Sequence, residues 1–466
     1  MTENSKIDRD WLLFLTLSLI FALEKQASAI FFLRSQGALS ELGFGFGGYI
    51  QSIISTGTYS SCTAFYCDYA SRMPLIPFFM AAIAVFWNSQ LAGALIKNFL
   101  LSLFFTAGLV TLAHWHKKGR YLYKIYWALL AVMVCSLPVI KHASMITYEE
   151  GFILEPLTLW CFFFFLSSEV FFSSGPAQNS FKSEKSRAMA ISITLLIAFY
   201  VFMTKSSMIL LFALSFLLAI KESFRLAADR SKNYLVYSML FCLSLTLLWG
   251  GYQYAMTGRL SVMTSWDGQN MFRGANTASL AMYPDITLDR VMDSAYAITR
   301  SGELVKIPPT PGREAFRTER EWDQYYVSVS KDWLVNNPAL AIKFFFKKMF
   351  NFFISIEKTP YSYTNNASAK HSGVTEQIET LTTTGWLLAG RVIELILLAV
   401  CIKILAAASD DQKRQAITII LLLSSYAIPY ILGFNYERHI TPFILMTISC
   451  SLALSLPFFA KAEGRQ

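Results

Sequence analysis

The sequence predicts an all-α fold, a polytopic helical membrane protein, from three observations. Hydrophobic residues make up 54% and aromatic residues 15% of the 466 residues, which is more apolar surface than a soluble fold buries. Apolar runs of about 17 to 22 residues recur along the chain, and each is long enough to cross roughly 30 Å of hydrocarbon. Short loops rich in Lys and Arg alternate with these runs, as expected of loops that stay in the cytoplasm.

These runs predict about ten transmembrane helices. The runs lie at residues 11–32, 95–115, 122–141, 152–173, 188–203, 206–221, 233–254, 384–406, 414–433 and 439–460. The first run is too long for a secretory signal peptide and lacks a small-residue cleavage site. We therefore expect it to be retained as a signal-anchor helix.

Charge predicts the orientation of the helices. The basic loops share the cytoplasmic side if the Pro-led segment 74–90 does not cross the membrane. These loops carry Lys6, Arg9, Lys117, Lys118, Arg120, Lys124, Lys182, Lys185, Arg187, Lys221, Arg225, Arg230, Lys232, Lys413 and Arg414. A crossing at 74–90 would put the basic loop at 117–124 outside. We therefore expect 74–90 to be a juxtamembrane helix in a first outer loop at 33–94, and both termini to be cytoplasmic.

The pattern divides the chain into three parts. Residues 1–254 are predicted to form a transmembrane catalytic module, and residues 384–466 the C-terminal transmembrane helices. The part between them, 255–383, is rich in Trp, Tyr, Pro and charge and predicts a small α-rich extracytoplasmic domain. Its helical patterns lie near 287–300 and 312–336. An apolar helix at 338–356 that carries three lysines is expected to lie on the membrane surface.

Net charge and cysteine spacing bear on partners. The net charge of +9 follows from the basic loops, and no basic and aromatic groove motif accompanies it, so no nucleic-acid partner is predicted. No Cys or His spacing resembles a zinc site. Cys62 and Cys67 share the first outer loop, where their spacing permits a disulfide but does not require one.

Asp68 and Arg72 lie four residues apart at the start of the predicted juxtamembrane segment. A carboxylate and a guanidinium at the bilayer edge suit proton transfer and phosphate binding, the two tasks of an enzyme that uses a lipid-phosphate substrate. A surface ion pair without a chemical role is the alternative.

Two further outer segments carry candidate residues. The second outer loop contains Glu149, Glu150 and Glu155, and Glu155 opens a very aromatic span. Carboxylates within a membrane usually face a water-filled cavity, which makes Glu155 a functional candidate; a helix-start charge favoured by the dipole is the alternative. Lys205, in a tight turn between two spans, either holds a phosphate or snorkels to the interface.

The order of these pieces resembles the GT-C superfamily, membrane glycosyltransferases that take a sugar from a polyprenyl-phosphate donor, including protein mannosyltransferases and lipid A aminoarabinose transferases. The Leu-Glu-Pro run at 154–156 is similar to the second acidic position of that family, and Met-Thr-Lys at 203–205 to its turn between two later spans. Glu-Arg-His at 437–439, with Pro442, resembles the start of its final span. The run at 268–276 resembles an outer-loop pattern of many bacterial members. Their shared order along nearly the whole chain carries the resemblance.

One departure from the family concerns the catalytic acid. Family members usually carry an Asp, or an Asp-Glu pair, shortly before a Tyr such as Tyr49, where this chain has Gly45 and Phe46. Either Asp68 or Glu41 takes that role, or the chain is a catalytically inactive GT-C-like accessory subunit.

The resemblance implies an inverting displacement at the anomeric carbon, with Asp68 as the general base and Glu155 as an orienting acid. It assigns contacts to the phosphate or the sugar to Arg72, Lys205, Arg273, Arg438, His439 and Tyr49. The donor is expected to be a polyprenyl-phosphate-linked sugar, and the acceptor a lipid, glycan or protein at the periplasmic face of a bacterial inner membrane. Membrane lipids are expected partners, and no cofactor or metal is expected.

A transporter or flippase for lipid-linked sugars remains a second interpretation. It would also carry intramembrane charge such as Glu24 and Lys25, but no inverted repeat of broken spans accompanies that charge. Aromatic residues of the outer domain, such as Trp266 and Trp322, stack on a sugar in the enzyme interpretation or else pack the core of that domain.

Overall fold

The computed structural model describes residues 7–34, 36–43, 45–135, 149–168, 181–227, 229–284, 286, 288, 291–299, 301–354, 373–407, 410–433 and 437–463. Helices dominate these residues. They are α1 (Ile7–Leu33), α2 (Phe46–Thr56), α3 (Leu75–Ala84), α4 (Gln90–Trp115), α5 (Gly119–Cys135), α6 (Glu149–Ser167), α7 (Glu184–Thr204), α8 (Ile209–Arg225), α9 (Lys232–Thr257), α10 (Asp267–Arg273), α11 (Thr277–Met282), α12 (Glu319–Asn336), α13 (Pro338–Ile354), α14 (Gly373–Ala407), α15 (Asp410–Leu432) and α16 (Glu437–Glu463). Short 3-10 helices lie at Leu39–Glu41, Ser206–Met208 and Arg313–Ala315.

Two short antiparallel hairpins interrupt the helices. Strand β1 (Ser61–Cys62) pairs with β2 (Cys67–Asp68), and β3 (Tyr296–Ile298) pairs with β4 (Leu304–Lys306). In the first hairpin Cys62 lies opposite Cys67, and a disulfide joins them. The chain therefore forms the bond that the cysteine spacing permitted. This bond closes the hairpin that leads into the segment carrying Arg72.

Helix α6 lies at the centre of the bundle. Its residues from Glu150 to Ser167 are all buried, and α4, α7 and α16 pack around it. Gly108 allows α4 to come close, because a Cβ at that position would lie 2.4 Å from the side chain of Leu159. A helix that is apolar on all sides is buried by its neighbours, as expected for the central member of a membrane bundle.

The described helices coincide with the predicted apolar runs; residues 136–141 and 169–173 of these runs lie outside the described residues. Among the described residues, seven segments have the length and apolarity needed to cross a membrane: Arg9–Phe31, Gln90–Trp115, Glu149–Ser167, Glu184–Thr204, Ser206–Arg225, Lys232–Thr257 and Gln412–Leu432. The runs predicted at 122–141, 384–406 and 439–460 coincide with α5, α14 and α16 in the described part of the chain. The protein is thus a helical membrane protein, as the composition predicted.

Helix α3 lies within the segment predicted to be juxtamembrane. It has ten residues after Pro74, a length of about 15 Å, roughly half of a 30 Å hydrocarbon layer. Its buried residues Ile76 and Met80 pack against Leu39 and Phe46 of the first loop. A helix this short does not cross a bilayer on its own.

The segment between α9 and α13 has a hydrophobic core of its own. Phe272, Met282, Trp322 and Tyr326 are buried together there, with smaller apolar residues around them. Trp322 therefore packs this core, which was the alternative to stacking on a sugar. The separate core supports treating this segment, called the outer domain below, as a folded unit.

Two helices predicted in the outer domain differ from those observed. The helix predicted at 287–300 is wrong, because the described residues turn before entering β3 at Tyr296. The helix predicted at 312–336 begins only at Glu319, where the side chain of Thr318 accepts the N–H of Glu321 at 3.1 Å and caps it. The helix predicted at 338–356 is present as α13 over its described residues.

Candidate active site

The first turn of α6 and the turn after α7 bring opposite charges together. Glu149 and Glu150 begin α6, and Lys205 follows the last residue of α7 in an extended conformation. The Lys205 Nζ lies 2.5 Å from Glu150 Oε1 and 3.2 Å from Glu149 Oε2. One ammonium group therefore contacts two adjacent carboxylates.

The start of the last helix adds a histidine to the same carboxylates. The His439 Nε2 lies 3.5 Å from Glu150 Oε1. Its ring stacks on Tyr430 of α15 with centroids 4.2 Å apart, and Tyr426 donates a hydrogen bond of 2.9 Å to its backbone carbonyl. These contacts hold the imidazole against Glu150.

The first outer loop completes this cluster with Arg72. The Arg72 Nη1 lies 3.9 Å from Glu149 Oε1, and its guanidinium carbon lies 4.4 Å from the ring centroid of Trp266. Arg273 approaches the same Trp266 ring at 6.0 Å. We call Arg72, Glu149, Glu150, Lys205 and His439 the acid–base cluster; the outer domain covers one side of it with Trp266.

The cluster is mostly buried, but its members differ in access. The side chains of Glu150 and His439 are both 4% exposed, whereas those of Glu149 and Arg72 are 16% and 12% exposed. Glu149 and Arg72 are therefore the more accessible of these four residues. A carboxylate next to cations can accept a proton, and the cations can bind a phosphate.

Asp68 does not form the predicted pair with Arg72. Its Oδ1 accepts a hydrogen bond of 3.0 Å from the Arg313 Nε in the outer domain, and Arg72 forms an ion pair with Glu149. Burial raises the pKa of Asp68, and the charge and hydrogen bond of Arg313 oppose this rise. Asp68 thus joins the first loop to the outer domain, and its role as the general base stays a prediction.

Glu319 makes a second link between the same two parts. Its carboxylate accepts the backbone N–H groups of Tyr69 and Ala70 at 2.9 and 3.2 Å, and the hydroxyl of Ser265. Burial, followed by the nearby charge of Asp68, raises the pKa of Glu319 to about 7. The contacts with Arg313 and Glu319 fix residues 68–70. Because Arg72 follows two residues later, these contacts also help to position its side chain.

Glu155 lies outside the acid–base cluster. Five residues separate it from Glu150, which places it about 7.5 Å further along α6 and roughly 140° around the axis. Its fully buried carboxylate contacts Lys25 Nζ of α1. Lys97 of α4 is also fully buried nearby, over the ring of Phe152. Glu155 is therefore a partner in an interhelical ion pair, and the structure does not bring it to Arg72 or Lys205.

The remaining predicted residues are Glu41, Tyr49 and Arg438. Glu41 is exposed, and its carboxylate accepts the nearby N–H of Ala38 at 3.2 Å. Tyr49 is buried, and its hydroxyl lies 2.9 Å from Ser71 Oγ, so it supports the residue next to Arg72. Arg438 was also predicted to contact the phosphate or the sugar, but its side chain lies outside the described part of the structure.

Three residues of this site were named in the sequence without being given the central role. The sequence favours Glu155 as the functional acid, although Glu149 and Glu150, two adjacent acids at the start of an apolar run, carry the same signal twice. Trp266 had no local signal that set it apart from other outer-domain aromatics. No group of His, Cys, Asp and Glu that could hold a metal ion occurs among the described residues.

Comparisons with known proteins leave this site to be interpreted from its own geometry. No family model matches the chain, and neither a curated protein nor a solved structure was found to be similar to it.

Proposed function

We propose that the chain is an inverting glycosyltransferase that moves a sugar from a polyprenyl-phosphate donor to an extracytoplasmic lipid, glycan or protein acceptor. The observation that carries this proposal is the acid–base cluster. Two carboxylates, a lysine, an arginine and a histidine come from four distant segments to one end of the bundle. Three of these five residues, Arg72, Lys205 and His439, belong to the set that the resemblance assigned to the substrate.

The proposed chemistry assigns the proton acceptor to Glu149. It takes the proton of the acceptor hydroxyl as that oxygen attacks the anomeric carbon, and the bond between this carbon and the donor phosphate breaks with the electron pair leaving on the phosphate. Arg72, Lys205 and Arg273 stabilise the departing phosphate. Glu149 is preferred because it is more exposed than Glu150 and lies between Arg72 and Lys205. The Trp266 ring offers the sugar an apolar face.

The topology that fits this proposal has ten spans with the acid–base cluster outside, at the periplasmic face of a bacterial inner membrane. Two features support it. The ends of α4, α7 and α8 opposite the cluster carry basic residues and meet there, where the backbone N–H of Lys182 donates to the Trp115 carbonyl at 2.8 Å and the Arg225 side chain pairs with Glu184. Such basic ends favour the cytoplasm.

Helix α13 is the second supporting feature. It buries Lys348, whose Nζ donates to the carbonyls of Gly274 and Gly433 at 3.1 and 2.7 Å, while Phe346 and Phe350 are 55% and 60% exposed. An exposed apolar face with a buried lysine is the reverse of a helix in water. It suits a helix that lies on a membrane beside a lipid-carrying site.

A second candidate function is transport of lipid-linked sugars. The observation that favours it is the buried group of Lys25, Lys97 and Glu155, since intramembrane charge often marks a transport pathway. An inactive accessory subunit is the remaining alternative.

The test is an assay of the purified protein in liposomes with radiolabelled polyprenyl-phosphate sugars and an extract of envelope acceptors. The enzyme releases free polyprenyl phosphate and labels an acceptor. Glu149→Gln should lower turnover by about a hundredfold or more while donor binding persists, because loss of a general base acts on the chemical step. Lys205→Ala should raise the apparent donor constant by roughly tenfold.

Glu41→Gln changes an exposed carboxylate and is the matched control, which should leave transfer unchanged. Asp68→Asn tests the base that the sequence predicted. If Glu149→Gln keeps full transfer activity and Asp68→Asn loses it, the general base would be Asp68 and not Glu149. Translocation of intact donor without release of polyprenyl phosphate would support the transporter. If the protein neither translocates the donor nor releases polyprenyl phosphate, the result would support the accessory subunit.

A further inference from the structure

The end of the bundle opposite the acid–base cluster has a cleft of its own. Its volume is about 360 Å³, and it is lined by Lys185, Arg230, Ser231, Asn233, Tyr234 and Tyr237. Lys185 comes from the first turn of α7, and the other residues come from the turn before α9 and its first two turns. We call this the basic cleft.

The carboxylates next to the two cations of the basic cleft have other partners. Glu184 pairs with Arg225, and Asp229 accepts the backbone N–H of Ser231, a residue of the cleft, at 2.6 Å. Among the described residues, Lys185 and Arg230 form no ion pair with a carboxylate. Lys185 instead lies over the ring of Tyr234, with its Nζ 6.0 Å from the centroid. The cleft therefore offers two charges, an amide and hydroxyl groups to an anion.

An apolar stripe leads away from the cleft along α9. Tyr234, Tyr237, Phe241 and Leu248 are 40%, 67%, 54% and 67% exposed. Their spacing places them on one face of the helix, over about 21 Å. In a membrane-spanning helix this face is covered by acyl chains. A ligand with a phosphate group and an attached hydrocarbon chain fits both the cleft and the stripe.

We propose that the basic cleft binds the phosphate headgroup of an anionic glycerophospholipid, with one acyl chain lying along Tyr237, Phe241 and Leu248. A soluble phosphate anion would use the same cations but not the stripe, so the lipid is the occupant that accounts for both features. Lys and Arg near the headgroup region each attract anionic lipid, and the amphipathic Tyr rings suit the interface between headgroups and chains.

The experiment measures lipid bound to the purified protein by native mass spectrometry, after exchange into micelles with phosphatidylglycerol or phosphatidylcholine. The parent protein should retain phosphatidylglycerol in preference. Lys185→Ala with Arg230→Ala should weaken this retention by about tenfold. Lys117→Ala with Lys118→Ala, which removes the same charge from the same end, should leave it unchanged. Lys185→Arg with Arg230→Lys keeps the charges and should retain the lipid.

Three results would overturn the proposal. Equal loss in both alanine pairs would show a diffuse charge effect, and unchanged retention in the Lys185 and Arg230 pair would place the lipid elsewhere. Displacement of the lipid by glycerol 3-phosphate at millimolar concentration would identify a site for soluble phosphates. The measurement needs no transfer activity, so its outcome is independent of the proposed glycosyltransferase.

Discussion

Lys205 shows how neighbours decide the role of a single residue. In the sequence it is a lone lysine in a tight turn, which suits phosphate binding and snorkelling equally. A snorkelling lysine keeps its ammonium group in water. The Lys205 ammonium is instead buried against Glu149 and Glu150 and lies 5.7 Å from the centroid of Tyr430. A phosphate that enters this site would compete with two carboxylates for one cation.

The Lys25 and Glu155 pair leads to a prediction about stability. Lys25→Met should destabilise the protein by about 3 to 5 kcal/mol, because it leaves the buried Glu155 carboxylate without its partner. Lys25→Met combined with Glu155→Leu should be more stable than either single variant, since both buried charges are then gone. Unfolding in mixed detergent and SDS measures the three values. Additive losses in the double variant would show that the pair is not coupled.

Glu319 leads to a prediction about pH. Burial and Asp68 raise its pKa from 4.5 to about 7 in the folded protein. The folded state therefore holds this proton more tightly than the unfolded state, so its stabilising contribution is complete below pH 4.5 and is lost as pH rises to about 7. The contribution is on the order of 3 kcal/mol. Thermal unfolding midpoints in detergent should fall over this range.

Glu319→Gln should flatten that pH slope, because the amide does not titrate. Part of the slope should remain, since burial also raises the pKa of Asp267 to about 7. Glu321→Gln, an exposed position on the same turn of α12, should behave as the parent. A Glu319→Gln slope equal to that of the parent would contradict the assignment.

At the scale of elements, α6 separates two groups of acids by helical geometry alone. Glu149 and Glu150 face the turn after α7 and the start of α16, while Glu155 faces α1. Acids on one helix thus belong to two sites, because residues five positions apart lie about 140° apart around the helix axis and contact different neighbouring helices.

The packing of α10 on α12 gives a prediction at this scale. Gly268 N–H donates to Asp323 Oδ1 at 2.7 Å, and a Cβ at Gly268 would lie 2.3 Å from the Asp323 backbone oxygen. Gly268→Ala should therefore destabilise the outer domain by about 1 to 3 kcal/mol. Gly251→Ala, whose Cβ would meet nothing within 4 Å, is the control and should not destabilise. Equal thermal midpoints for both variants would contradict the close packing.

At the scale of the whole molecule, the two ends of the bundle differ in chemistry. One end carries the acid–base cluster and the outer domain, and the other carries the basic cleft and the basic loops. A bilayer between them would place the first end outside, because basic loops favour the cytoplasm.

Thiol labelling in intact cells tests this orientation. Ser301→Cys, exposed beside the β3–β4 hairpin, should react with a membrane-impermeant reagent, and Lys117→Cys, exposed at the basic end, should react only after lysis. Cys161, Cys242, Cys401 and Cys450 are buried and should add little background, and Cys135 is replaced by Ser before labelling. The reverse labelling pattern would overturn the orientation, and the proposed outer location of the cluster with it.

The sequence by itself determined the class of the protein and the positions of its long apolar helices. Apolarity and run length are local properties, so the helical membrane class and α13 could be read directly from the chain. Helix starts in the outer domain were less predictable, because the Thr318 cap and the β3–β4 hairpin overrode patterns that also suited a helix.

Only the tertiary structure decided which acid meets which cation. Asp68 pairs with Arg313 at a separation of 245 residues, Lys25 with Glu155 at 130 and Lys205 with Glu150 at 55. No local pattern encodes such pairs, because they depend on how the helices pack and rotate against one another. The sequence named Arg72, Lys205 and His439 as candidates, and the packing of α6 brings Glu149 and Glu150 next to them, while Asp68 and Glu155 contact Arg313 and Lys25.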